Sequence, residues 1–100
     1  MTDRHQEGGA GRVVVTVQGV DRVGIVADVT RVLADAGANL VDIDQSVLRG
    51  DLFVMVAVAD LAPDGTPFAT LRGQLEDLGE RIGVGIAIQR EEIFRAMHRV

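Results

Sequence analysis

The sequence predicts an α+β domain: a four-stranded antiparallel sheet with two helices on one face. Three observations predict it. Four segments are rich in β-branched residues or alternate apolar with polar residues, the signature of strands. Two segments between them carry apolar residues at the spacing of one helical face. The two middle strand segments are separated by a turn of three residues, which suits a hairpin.

Residues 1–12 are polar, with Gly8, Gly9 and Gly11 close together, and read as a flexible tail that leaves His5 solvated. Val13, Val14, Val15, Thr16 and Val17 are almost all β-branched and form the first strand. Gln18, Gly19, Val20 and Asp21 interrupt it. Ile25, Val26, Val29, Val32, Leu33 and Ala36 then follow helical spacing, with Asp21 able to cap the start and Gly37 the end. Leu40 to Leu48 alternates, with Val41, Ile43 and Val47 on one side and Asp42, Asp44 and Ser46 on a wet face. Gln45 breaks the apolar side. Arg49-Gly50-Asp51 turns the chain into Leu52 to Ala59, a second strand of the hairpin. Those three letters also spell an integrin-binding tripeptide, read here as coincidence at a hairpin. Leu61 to Gly65 is a loop. Thr66 and Pro67 open a second helix as N-cap and first-turn residue. Phe68, Leu71, Leu75, Leu78 and Ile82 form its apolar face, while Gly79 weakens it and Gly83 ends it. Val84, Ile86 and Ile88 alternate with Gly85, Ala87 and Gln89 in the last strand. Residues 91–100 form an amphipathic tail through Ile93, Phe94 and Met97. The domain proper spans 13–90, and its β-α-β-β-α-β order is the ferredoxin-like split arrangement.

Composition bounds the function. One hundred residues fit one domain. With 47% apolar and 25% charged residues the chain has the balance of a folded domain. The absence of cysteine excludes disulfides, Cys-ligated metals and a Cys nucleophile. The longest apolar run, Leu52 to Ala59, is far shorter than the ~18 residues that cross a bilayer. No secretory signal is visible, so a cytoplasmic protein is expected, with no membrane partner. A net charge of −5 argues against a phosphate backbone as partner. With no Trp or Tyr and three Phe, no platform for stacked bases is expected either. Leu52 to Ala59 is apolar on both faces, including Phe53 and Met55. Helices cover one face only, so the tail residues or a second protomer must cover the other; a homodimer is expected.

The chemistry-bearing stretch is Gly19 to Gln45. Gly19, Asp21 and Gly24 fall in the first strand-to-helix turn, and Asn39 stands just before the second strand; both places are expected at the same end of the sheet. Free backbone N–H groups at the helix start suit a carboxylate. Gly19 lets a ligand approach the backbone. Asp21 and the Asn39 side-chain oxygen accept hydrogen bonds from an ammonium. Together they describe an amino-acid site, with no catalytic residue, metal or cofactor expected.

Gly19-Val20-Asp21-Arg22-Val23-Gly24-Ile25-Val26, then Leu33-Ala34, Gly37-Ala38-Asn39-Leu40, Asp42-Ile43 and Gln45, resembles an ACT domain. The likeness continues through Gly50 into Phe53-Val54-Met55 and covers nearly all of Val13 to Arg90. The tail Glu92-Ile93-Phe94, then Ala96-Met97-His98-Arg99, resembles that of small stand-alone bacterial and archaeal ACT proteins. The resemblance implies small-molecule binding, usually of amino acids, between paired domains, and control of amino-acid metabolism, through an enzyme or regulator partner where one exists. It also implies that Gly19, Asp21 and Asn39 meet the ligand, with Asn39 reaching across from the partner protomer. One position departs: many ligand-binding members have Pro where this chain has Val23, which loosens the turn.

Simpler roles compete at each position. Asp21 can be only a helix cap, Gly19 and Gly24 only backbone geometry, and Asn39 only a left-handed turn after Gly37. Asp42 and Asp44 read as a solvated strand face, Arg22 as a surface residue, and His98 as packing or capping in the tail. Gln45 has the best claim to a specific hydrogen bond. Two other functions compete. One is a ligand-free interaction module. The other is acylphosphatase, which shares the fold and whose phosphate-loop opening is similar to Val17-Gln18-Gly19-Val20. Its catalytic Arg position is filled by Val23, with Arg22 one place early. Its Asn lies deeper in the next strand than Asn39, beside a Trp that this chain lacks.

Overall fold

The computed structural model describes residues 11–98. The elements are β1 (Gly11–Val20), α1 (Ile25–Asp35), β2 (Asn39–Leu48), β3 (Leu52–Leu61), α2 (Phe68–Ile82), β4 (Val84–Arg90) and α3 (Glu91–Met97). The sheet order is β2-β3-β1-β4, with every pairing antiparallel. This is the expected ferredoxin-like arrangement. The expected tail over residues 1–10, including His5, lies outside the described residues, as do residues 99–100.

The core lies between the sheet and α1 and α2. Val13, Val15 and Val17 of β1 face it, flanked across β3 by Ala59, Ala57 and Met55 and across β4 by Ile88 and Ile86. Ile25, Val29 and Leu33 of α1 and Leu71, Leu75 and Leu78 of α2 close over them, all buried. These are the i, i+4, i+8 and i, i+4, i+7 positions that the apolar spacing marks out. α1 ends in a Schellman motif. The Gly37 N–H donates to the Ala34 carbonyl and the Ala38 N–H to the Leu33 carbonyl, each at 3.0 Å, with Gly37 at φ 79°. In the hairpin, Arg49 (φ 56°) and Gly50 (φ 86°) are both left-handed, as a primed turn requires.

Several local expectations are corrected. β1 begins at Gly11, not Val13, because Gly11 and Arg12 pair with Leu61 and Asp60 of β3. The Arg12 guanidinium donates to both Asp60 carboxylate oxygens, at 2.8 and 3.2 Å. That hydrogen bond and then the Asp60 charge raise the Arg12 pKa, so the guanidinium stays protonated at any pH the fold meets. Asp21 does not cap α1. Gly24 (φ 95°) holds the N-cap position with no side-chain bond, and the Asp21 N–H donates instead to the Asp51 carbonyl at 2.7 Å. Nor does Thr66 cap α2, whose N-cap is Pro67. The Thr66 N–H donates to the Ala36 carbonyl at 2.9 Å, tying the loop to the end of α1.

Phe53 and Met55 lie on the helix-covered face and are buried within the chain, so they cannot call for a partner. The open face of β3 carries Leu52, Val54, Val56 and Val58. α3 packs against β1 and β4, with Met97 Sδ 3.1 Å from Gln89 Nε2. Val14, the open-face residue beside Gln89, is buried. The tail helix therefore covers one end of the open face. His98 packs in that tail as expected, its ring stacked on Phe94 at 4.2 Å and its Nδ1 2.9 Å from the Phe94 carbonyl.

β2 is an edge strand exposed at every residue but Ile43. A bulge shifts the register between Leu40 and Asp42, so Val41 is the extra residue. Leu40, Ile43, Gln45 and Val47 then share the helix side, opposite Ala59, Ala57, Met55 and Phe53. The expected grouping of Val41 with Ile43 and Val47 does not hold. α1 touches this strand only lightly, so Leu40 and Val47 on its helix side are about two-fifths to half exposed, as are Val41 at the bulge and Leu48 on the open face. Gln45 is exposed too, and no hydrogen bond joins its side chain to the other described residues.

Candidate functional site

The turn from β1 to α1 is held at both ends. Before it, Val20 pairs with Leu52 at the end of β3; after it, Ile25 is 1% exposed and anchors the helix in the core. Gly24 must be left-handed to join them, a conformation that costs glycine nothing and other residues about 1 kcal/mol or more. The first intrahelical bond is Asp28 N–H to the Gly24 carbonyl, at 2.9 Å. The N–H groups of Ile25, Val26 and Ala27 precede it, and no side chain caps them. The turn thus offers uncapped donors at the positive end of a helix dipole. Asp21 is exposed beside them, and its backbone is tied to Asp51 of the hairpin. Arg22 lies 3.8 Å from Asp28, in an exposed pair that adds little to stability.

Gly19 serves packing. A Cβ there would lie 2.9 Å from Val84 Cγ1 and 3.2 Å from Val84 Cα. The space its missing side chain leaves is taken by Val84 of β4, so the expectation that it opens the backbone to a ligand is not supported.

Asn39 does not join this turn within one chain. It is the first residue of β2, exposed, and pairs with Asp60, which pairs with Arg12 at the start of β1. Asp21 follows the last residue of β1. The expectation that both places share one end of the sheet is corrected. α1 carries the chain back along β1, so β2 starts where β1 started, and nine strand steps put Asn39 roughly 30 Å from Asp21. Beside Val23 (95% exposed), the turn gathers residues to which sequence reasoning gave no role in the site: Asp51, and an apolar rim of Val20, Leu48 and Leu52. Two valines exposed around a turn were the available signal. Asp42 and Asp44 are exposed on the open face, and the described residues contain no cluster of three His, Cys, Asp or Glu able to hold a metal.

A model of the ACT domain family matches residues 11–89. The chain belongs to the ACT domain family. Its relatives include a UPF0237 protein of Methanopyrus kandleri, 51% identical over 89% of this chain and 98% of that one. A UPF0237 protein of Bifidobacterium longum is 44% identical over the same shares. Among solved structures, an ACT domain protein from Streptococcus pneumoniae superposes with a TM-score of 0.72 at 39% identity, covering 87% of this chain and 97% of that one. A putative glycine cleavage system transcriptional repressor superposes at 0.71 with 25% identity, covering 81% of this chain and 46% of the other. The stand-alone ACT resemblance read from the motifs and tail is thereby shown.

Proposed function

We propose that this ACT protein is a homodimeric, cytoplasmic amino-acid sensor that controls amino-acid metabolism through an enzyme or regulator partner. The carrying observation is the placement of Asn39 and Asp21 at opposite ends of a sheet whose β2 edge is open. Two copies pairing antiparallel along β2 would set Asn39 of one beside the hairpin end of the other. Asn39 then lies about three strand spacings, roughly 14 Å, from the partner's Asp21 turn. An amino acid and two polar side chains span that gap. Its carboxylate takes the uncapped N–H groups of Ile25, Val26 and Ala27, and its ammonium takes Asp21 and Asn39. Gly24 shapes the turn. The exposed Leu40, Val41, Val47 and Leu48 supply the apolar area that a lone chain leaves in water. The likeness to a putative transcriptional repressor supports a regulatory role.

The test is a melting panel of the common amino acids, with sedimentation equilibrium returning twice the 10.7 kDa chain mass at micromolar protein. At ligand about 100 times Kd, linkage adds about 2.7 kcal/mol. For a domain this size that raises Tm by roughly 10–20 °C. A panel that leaves Tm unmoved, with the dimer intact, supports the second reading, a ligand-free interaction module. Val23 favours that reading, because it stands almost wholly exposed at the turn. A monomer mass rejects the homodimeric sensor and leaves a module that docks on an enzyme or regulator.

Acyl-phosphate hydrolysis is expected to be absent. Arg22 faces Asp28, and Asn39 stands at the far end of the sheet from it. Benzoyl phosphate should turn over at the buffer rate; turnover that disappears in Arg22→Ala would establish the enzyme instead.

A further inference from the structure

The second edge of the sheet is β4, and a groove of about 390 Å³ runs along it. Five consecutive residues, 86–90, line the groove. Strand side chains alternate between faces, so a cavity on one face meets every second residue. A cavity that meets five in a row lies along the strand's outer edge, where the backbone N–H and C=O groups have no neighbouring strand. One wall is α2, through Phe68, Arg72 and Glu76, at i, i+4 and i+8 over about 12 Å. Ile93 of α3 stands on the other side. Ile86, Ile88 and Phe68 supply its apolar part, beside Arg72, Glu76, Gln89 and Arg90. Arg90 closes one end, its guanidinium 4.6 Å from the centre of the Phe68 ring.

Charge decides what fits. Arg72 pairs with Glu76 at 3.3 Å, and the neighbouring Glu91 pairs with Arg95 at 3.3 Å. Arg90 has no carboxylate within 4.0 Å among the described residues. A guanidinium fixed over an aromatic ring and lacking an anion is ready for a carboxylate. The groove is walled by α2 and by Ile93 of α3, so a second copy would have to bring its own α2 and α3 into the same space.

We propose that the β4 edge accepts an extended peptide of a partner protein as a fifth strand, with alternate apolar side chains against Phe68, Ile86 and Ile88 and an acidic side chain on Arg90. Main-chain hydrogen bonds carry such an addition, so it tolerates varied sequence, and Arg90 sets the preference. This reading stands apart from the amino-acid site, which lies on the β1–α1 turn.

The probe is the synthetic pentapeptide Val-Thr-Val-Thr-Asp, blocked at both termini, which puts both valines and the aspartate on one face of a strand. It is titrated into the full-length ¹⁵N-labelled protein. Saturable shifts are expected in the amides of β4, with amides of β2 unmoved. Ending the peptide in asparagine should weaken binding about tenfold, as should Arg90→Gln on the protein. The peptide swap needs no mutation, so a folding defect in Arg90→Gln leaves the test standing. No saturable shift at millimolar peptide overturns the proposal, as does equal affinity for the two peptides. Shifts along β2 overturn it too. So do β4 shifts that depend on protein concentration alone, which would give the edge to a second copy.

Discussion

Alanine at Gly79 should destabilise the fold by about 1–2 kcal/mol, while alanine at Gly73 on the same helix should stabilise it. Both substitutions add one methyl group to α2, and both gain up to about 1 kcal/mol of helix propensity. What differs is the space. A Cβ at Gly73 meets nothing within 4 Å. A Cβ at Gly79 would lie 2.6 Å from the Val84 carbonyl oxygen and 3.4 Å from Ile86 Cγ1. Backbone cannot step aside as a flexible side chain can, so α2 must lift from β4, and overpacking of this kind costs about 1–3 kcal/mol. At the upper part of that range it exceeds the propensity gain. Urea melts of the two variants should move in opposite directions, Gly79→Ala down and Gly73→Ala up. Equal stabilisation in both would mean that the helix and strand do not approach this closely at Gly79.

Gly79 also shows where sequence reading stops. In the sequence it is a weak point in a helical pattern, because its reason for being glycine sits on the next strand. Gly19 is the same case: read as an opening for a ligand, it is a close contact with Val84. The six elements of the β-α-β-β-α-β order were legible because a period of two or 3.6 is written into neighbouring residues. So was the α1 terminus at Gly37, whose φ of 79° needs the residue found there. Caps were not legible. Asp21 and Thr66 are good capping residues, but the chain spends their backbones on ties to Asp51 and Ala36. The bulge at Val41 was hidden because Leu40, Val41 and Ile43 are all apolar, so a skipped residue leaves no mark on the pattern. Most consequential is Asn39. Its distance from Asp21 follows from the run of α1 back along β1, a matter of topology that motif spacing does not express.

That distance makes the shared site testable. Asp21→Ala and Asn39→Ala should each remove tight amino-acid binding and leave the dimer intact, since the apolar area of the seam comes from Leu40, Val41, Val47 and Leu48. A ligand ammonium that loses one of two acceptors in a wet site loses roughly 1.5–3 kcal/mol, a factor of about 10–150 in affinity. Unfolding the two variants together and refolding them makes about half the dimers mixed, by random pairing. In a mixed dimer, one site carries both substitutions and the other carries neither. About a quarter of all sites should then bind as the natural protein does, given independent sites. Calorimetric titration of the refolded mixture counts them. Tight binding is expected at about one site in four, with no tight site in either variant alone. Zero recovered sites, with both variants folded and dimeric, would contradict a site built from Asp21 of one protomer and Asn39 of its partner.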